Sequence, residues 1–104
     1  MKEVKEFKRL IDQKKFYEAH ETLEEVWFPI RHEKDDYCLV LKGFINGAVC
    51  MELNKRDKIT QAKKVYKTYL KYVSNERIDK TKYKNIFDEL KSFMDKKFLN
   101  MFKN

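Results

Sequence analysis

Residues 16–27 read Phe16-Tyr17-Glu18-Ala19-His20-Glu21-Thr22-Leu23-Glu24-Glu25-Val26-Trp27, and their spacing decides the fold. Phe16, His20, Leu23, Trp27 and, beyond them, Ile30 recur at intervals of four and three, the period that lines one side of an α-helix. Pro29 has no amide to donate and disfavours helical geometry at Phe28, so this helix is expected to stop there. Four carboxylates and one imidazole interrupt the segment. His20 and Glu24 are four residues apart, which brings their Cβ atoms to about 6 Å on one face. An imidazole within an apolar stripe must find hydrogen-bond partners or lose its water uncompensated.

Working outward, the same period predicts an all-α fold: a compact bundle of about five helices, mostly antiparallel, around a central apolar helix. Val4, Phe7, Leu10 and Ile11 mark a first helix over about 3–14. Residues 36–53 are apolar nearly all round, as expected of a helix touched on several sides, and Asp35 or Asp36 can cap its start. Within it Gly43 and Gly47 form G-x-x-x-G, a spacing that lets a neighbour come close and here is expected to admit an aromatic side chain. Ile59, Ala62, Tyr66, Tyr69 and Val73 form the inward stripe of a fourth helix over about 59–73, with Val65 and Leu70 beside it. Residues 74–81 read as the longest loop. Tyr83, Ile86, Phe87, Leu90, Phe93, Met94 and Leu99 mark a last helix over about 82–99. No internal repeat or linker stands out, so residues 1–104 are expected to form one helical domain.

Composition narrows the function classes. The chain has 104 residues with 2 Gly, 1 Pro, 42% hydrophobic and 39% charged residues, which excludes fibrous and disordered readings. Its net charge of +7 is uneven: residues 1–34 balance, residues 35–54 sum to −2 and residues 55–104 to +9. Lys63, Lys67 and Lys71, four apart on the fourth helix, form a basic stripe suited to phosphates, but without the arginines used for bidentate base reading. It reads first as a solvated face, and nucleic-acid or anionic-surface binding is an alternative function. No signal-like segment and no membrane span is legible, so cytoplasmic localisation is expected. Cys38 and Cys50 fall about 18 Å apart along one helix, too far for an intrachain disulfide, and read as buried thiols.

The His/Glu pair supports two readings. In the structural one, His20 bridges Glu24 and Asn46 of the central helix, with Trp27, Gly43 and Gly47 as packing partners, and the pairing sets helix register at a self-association or partner surface. In the chemical one, His20 and Glu24 ligate a divalent metal, or act as a base with its orienting carboxylate, in a metal-assisted hydrolase or other small enzyme. His20-Glu21-Thr22-Leu23-Glu24 is H-E-x-x-E, so the second histidine of the common zinc motif is absent. His32, the one other histidine, falls in a polar connection and reads as exposed. Glu52, at the end of the central helix, also reads as exposed. Neither a phosphate-binding glycine loop nor a nucleophile motif is present, and no cofactor beyond that alternative metal is expected.

The run F-x-E-A-H-E-x-L-E-x-x-W, carried by Phe16, Glu18, Ala19, His20, Glu21, Leu23, Glu24 and Trp27, resembles the signature of a small helical bacterial and archaeal family, domain of unknown function 309. That family's next helix resembles G-L-I-Q-x-A, matched here by Gly43, Phe44, Ile45, Asn46 and Ala48, with Phe44 in place of leucine and Asn46 in place of glutamine. Where the family carries a Gly-Asn turn and then a Gly-Ala pair, this chain has Leu53-Asn54 and Gln61-Ala62. The resemblance implies a compact all-helical fold with a capacity for self-association, and no established reaction.

Overall fold

A computed structural model describes residues 1–103. Its helices are α1 (Lys2–Asp12), α2 (Phe16–Trp27), α3 (Asp36–Lys55), α4 (Ile59–Tyr72), α5 (Asn75–Asp79) and α6 (Lys84–Met101), with a 3₁₀ turn over Phe28–Ile30. The described residues contain no strand. The five longer helices are the expected ones. The sixth, α5, lies in the stretch read as a loop: Ser74 accepts a hydrogen bond from the Arg77 amide at 3.2 Å and starts a helix of five residues, too short to show a period.

Chain direction follows from pairs of contacting residues. Cys38 and Ile30 meet at one end of α3 and Lys55 and Phe16 at the other, so α2 and α3 are antiparallel. Gly43 faces Val73, Gly47 faces Tyr69 and Cys50 meets Ala62, so α3 and α4 are antiparallel as well. Helix α6 runs parallel to α3, pairing Tyr37 with Tyr83 and Phe44 with Phe87. The α1–α2 and α3–α4 hairpins close with the same turn. Lys15 and Lys58 amides bond back to the Leu10 and Leu53 carbonyls at 2.9 Å, while Lys14 and Asp57 take left-handed φ of 59° and 64°.

Helix α3 is the centre, with ten buried residues, and its start is capped by Asp35, whose carboxylate accepts from the Cys38 amide at 2.9 Å. The ring of Tyr69 comes within van der Waals reach of Gly47, and the Val73 side chain and backbone close on Gly43. Phe44, Tyr69, Phe87 and Phe98 are fully or almost fully buried and form a chain of tilted and edge-on ring contacts, Phe87–Phe44–Tyr69–Phe98, across α3, α4 and α6. Tyr69 donates to Asp95 Oδ1 at 2.8 Å, and Lys91 holds the other carboxylate oxygen at 2.7 Å. Burial, helped by the Asp95 charge, pushes the Tyr69 hydroxyl far above the ordinary phenol range. Both cysteines are free and buried, and burial pushes the Cys50 thiol up to about 12. The thiolate is therefore suppressed at neutral pH.

Two residues from the inward patterns are exposed instead, Ile59 at 38% and Leu99 at 75%, and so is Leu70, read beside the α4 stripe, at 50%. Each lies at the edge or end of its helix stripe, where periodicity identifies a face without telling how far the neighbouring helix covers it. No described helix is long and apolar enough to cross a membrane.

Candidate functional site

Helix α2 presses Ala19 and Leu23 into the core at full burial and tilts the rest of its surface outward. At the edge of the buried stripe stands His20. Its Nε2 lies 3.1 Å from Glu24 Oε2, with the imidazole side chain 20% exposed and the carboxylate 42% exposed. The i, i+4 spacing produces the contact expected from the sequence. The Tyr17 ring completes this edge, its centroid 5.7 Å from that of His20.

The bridge from His20 to Asn46 is not formed. Asn46 donates its side-chain amide to the Lys42 carbonyl at 2.8 Å, one turn back on its own helix. A short amide is well placed to bond the preceding turn, and this local partner outcompetes a longer reach. His20 Nδ1 is consequently buried without a hydrogen-bond partner in the chain, and so is the indole Nε1 of Trp27, seven residues on along the same face. A buried polar atom left this way costs about 1–3 kcal/mol.

The charges of the segment are unbalanced. Helix α2 carries Glu18, Glu21, Glu24 and Glu25 and no lysine or arginine. Carboxylates three and four apart repel, and the two nearest the carboxyl end oppose the helix dipole there. Glu18, Glu21 and Glu25 are exposed, and among the described residues none of them belongs to an ion pair. The positive counterpart at that end is Arg31, which donates to the Phe28 carbonyl at 2.7 Å and lays its guanidinium 3.7 Å over the Phe28 ring.

Two aromatic residues to which the sequence pattern assigned no role bound this surface. Tyr17 is 56% and Phe28 54% exposed, each projecting from the same flank of α2 as Glu21 and Glu24. At the Phe28 end Glu21, Glu24, Glu25, Phe28 and Pro29 line an open depression of about 370 Å³. Their absence from the inner four-three stripe was the available signal: an aromatic residue outside that stripe has nothing in its own helix to cover it.

The remaining sequence candidates disperse. His32 is exposed, as its polar surroundings suggest, and forms no contact with the His20–Glu24 pair among the described ion pairs. Glu52 is half-buried rather than exposed, because Arg56 folds over it with Nε 2.6 Å from Oε2. Among the described residues no three histidine, cysteine or acidic side chains converge as a metal site. His20 and Glu24 together offer one nitrogen and one oxygen ligand. Gly43 and Gly47 lie beneath α4 and serve its close approach. Lys63, Lys67 and Lys71 are all exposed, on the outer side of α4.

A family profile described as "Domain of unknown function (DUF309)" matches residues 4–65, a span that takes in α1, α2, α3 and the first half of α4. No curated protein and no solved structure matches the chain.

Proposed function

The chain belongs to the DUF309 family, and from that premise we propose that it is an interaction module whose α2 surface docks a cationic amphipathic helix. The observation that carries this reading is a carboxylate row with a half-exposed aromatic ring at each end, Tyr17 and Phe28, at the i, i+4, i+7, i+11 spacing of one helix side. Apolar anchors at the ends would supply contact area and the glutamates orientation. His20 positions Glu24 within the row by holding its carboxylate. The structural role assigned to the pair is thereby extended to a partner surface.

The test uses a synthetic helical peptide with leucines at its ends and lysines between them, at intervals of four and three. Trp27, the one tryptophan, reports on the same helix by fluorescence. The expected result is saturable binding that falls about tenfold in Tyr17→Ala and again in the Glu21→Lys, Glu25→Lys double variant. Binding that ignores all three exchanges would place docking elsewhere.

A second reading, metal or proton chemistry at the pair, is favoured by the 3.1 Å approach of Nε2 and Oε2. With only these two protein ligands a divalent ion would retain several waters. Metal analysis of untagged protein after exposure to zinc, manganese and iron decides it, since stoichiometric retention abolished by His20→Ala is required.

A further inference from the structure

Five large apolar side chains are substantially exposed among the described residues, and four of them bound just two helix faces. Tyr17 and Phe28 bound the acidic face of α2, eleven residues apart. Ile59 and Leu70 bound a face of α4, also eleven residues apart. Eleven residues are close to three helical turns, so each pair falls on one side of its helix about 16 Å apart. The residues between carry opposite charge. Glu21, Glu24 and Glu25 fill the first face, and Lys63 and Lys67 the second, with Lys71 just beyond Leu70.

Within the chain Glu24 contacts His20, and Arg31 stands at the Phe28 end of the acidic face, while Glu21 and Glu25 and the α4 lysines are left for an outside partner. Elsewhere charges pair, locally in Arg9–Glu6, Arg56–Glu52 and Lys80–Glu76 and between α6 and α1 in Lys97–Asp12. Among the described residues no ion pair involves Glu21, Glu25, Lys63, Lys67 or Lys71. Each helix instead carries a ladder of like charges at i, i+4, which destabilises it when isolated and is relieved by a ladder of opposite sign.

We infer that the occupant of the α2 face is a second copy of this chain, presenting its α4 face. The inference rests on the docking reading above and names its partner. Laid antiparallel, Tyr17 meets Leu70, Phe28 meets Ile59, and Glu21 and Glu25 meet Lys67 and Lys63. The net charge of +7 opposes any self-association, but with a Debye length of about 8 Å at physiological salt the distant charges are screened while facing ladders are not. A contact of three helical turns is small, so the association is concentration-dependent rather than obligate.

Charge exchange tests this. Glu21→Lys with Glu25→Lys raises the net charge to +11, and Lys63→Glu with Lys67→Glu lowers it to +3, two units per substitution. All four positions are exposed, so both variants keep the fold, as far-ultraviolet circular dichroism will verify. Sedimentation velocity at protein concentrations on the order of 10 μM to 1 mM is expected to show association of the wild type, monomers for each variant alone, and restored association in their equimolar mixture. The lysine-to-glutamate variant is decisive alone: if net charge governed, it would associate more than the wild type, whereas facing ladders require that it associate less. A monomeric wild type, associating single variants, or a mixture that stays monomeric each overturns the inference. So does salt-sensitive binding of the wild type to a DNA duplex that the lysine variant loses while the mixture fails to assemble, which assigns the lysines to a polyanion. Retained peptide binding in any of these cases leaves the α2 docking reading standing, and its loss removes that reading separately.

Discussion

Tyr69→Ala is expected to destabilise the fold by about 3–5 kcal/mol, the range for removing a large buried aromatic side chain. Tyr69 has no exposed surface and connects three helices, with its ring against Gly47 of α3 and Phe98 of α6. Deletion of the ring leaves a cavity beside a glycine that has no side chain to fill it. A domain of this size has about 5–15 kcal/mol of stability in all, so the variant should unfold at a much lower urea concentration. Tyr69→Phe should cost far less, about 1 kcal/mol, because Lys91 still holds the partly exposed Asp95. Urea titrations followed by circular dichroism separate ring from hydroxyl. Equal losses in both variants would make the hydrogen bond, rather than packing, the dominant contribution.

Gly43→Ala is expected to lower stability by about 2 kcal/mol, although the same exchange in an uncrowded helix raises it by about 1 kcal/mol. A Cβ at Gly43 would stand 2.5 Å from Val73 Cγ2, 3.0 Å from Tyr72 Cβ and 3.2 Å from the Val73 amide nitrogen. Val73 is buried and β-branched, and it caps α4, so relief requires backbone movement of the α3–α4 pair. Gly47 provides the contrast. Its nearest neighbour is the flexible methyl end of Met94 at 2.9 Å, with Tyr69 at 3.1 Å, so Gly47→Ala should be milder. A stabilised Gly43→Ala variant would mean that α4 does not approach α3 as closely as described.

These two predictions rest on features that the sequence displayed well. The apolar circumference of residues 36–53 marked α3 as central, and two interior glycines marked where a neighbour closes in. The His20–Glu24 contact was also legible, because i, i+4 geometry is local and needs no tertiary information. What depended on competition between partners was not. Asn46 had two candidate acceptors in principle, and only the folded geometry shows that its own preceding turn wins. The five-residue α5 is shorter than any period, so Ser74 as a capping residue was its one signal. Helix edges were the other weak point. Ile59 and Leu70 follow the apolar pattern yet stand exposed, and Tyr17 and Phe28 lie outside the inner stripe of α2.

Together these four exposed residues define the surfaces on which the account of function depends. A spin label placed on α2 of one copy probes them directly. His32 is exposed just beyond Phe28, so His32→Cys introduces an accessible thiol into a chain whose own cysteines are buried. Mixed with ¹⁵N-labelled, unmodified protein, the labelled copy is predicted to broaden the amide resonances of residues 59–71 and to leave α1 largely untouched. Broadening centred on any helix other than α4, or none at concentrations where the protein associates, would contradict the pairing of the acidic face with the basic one.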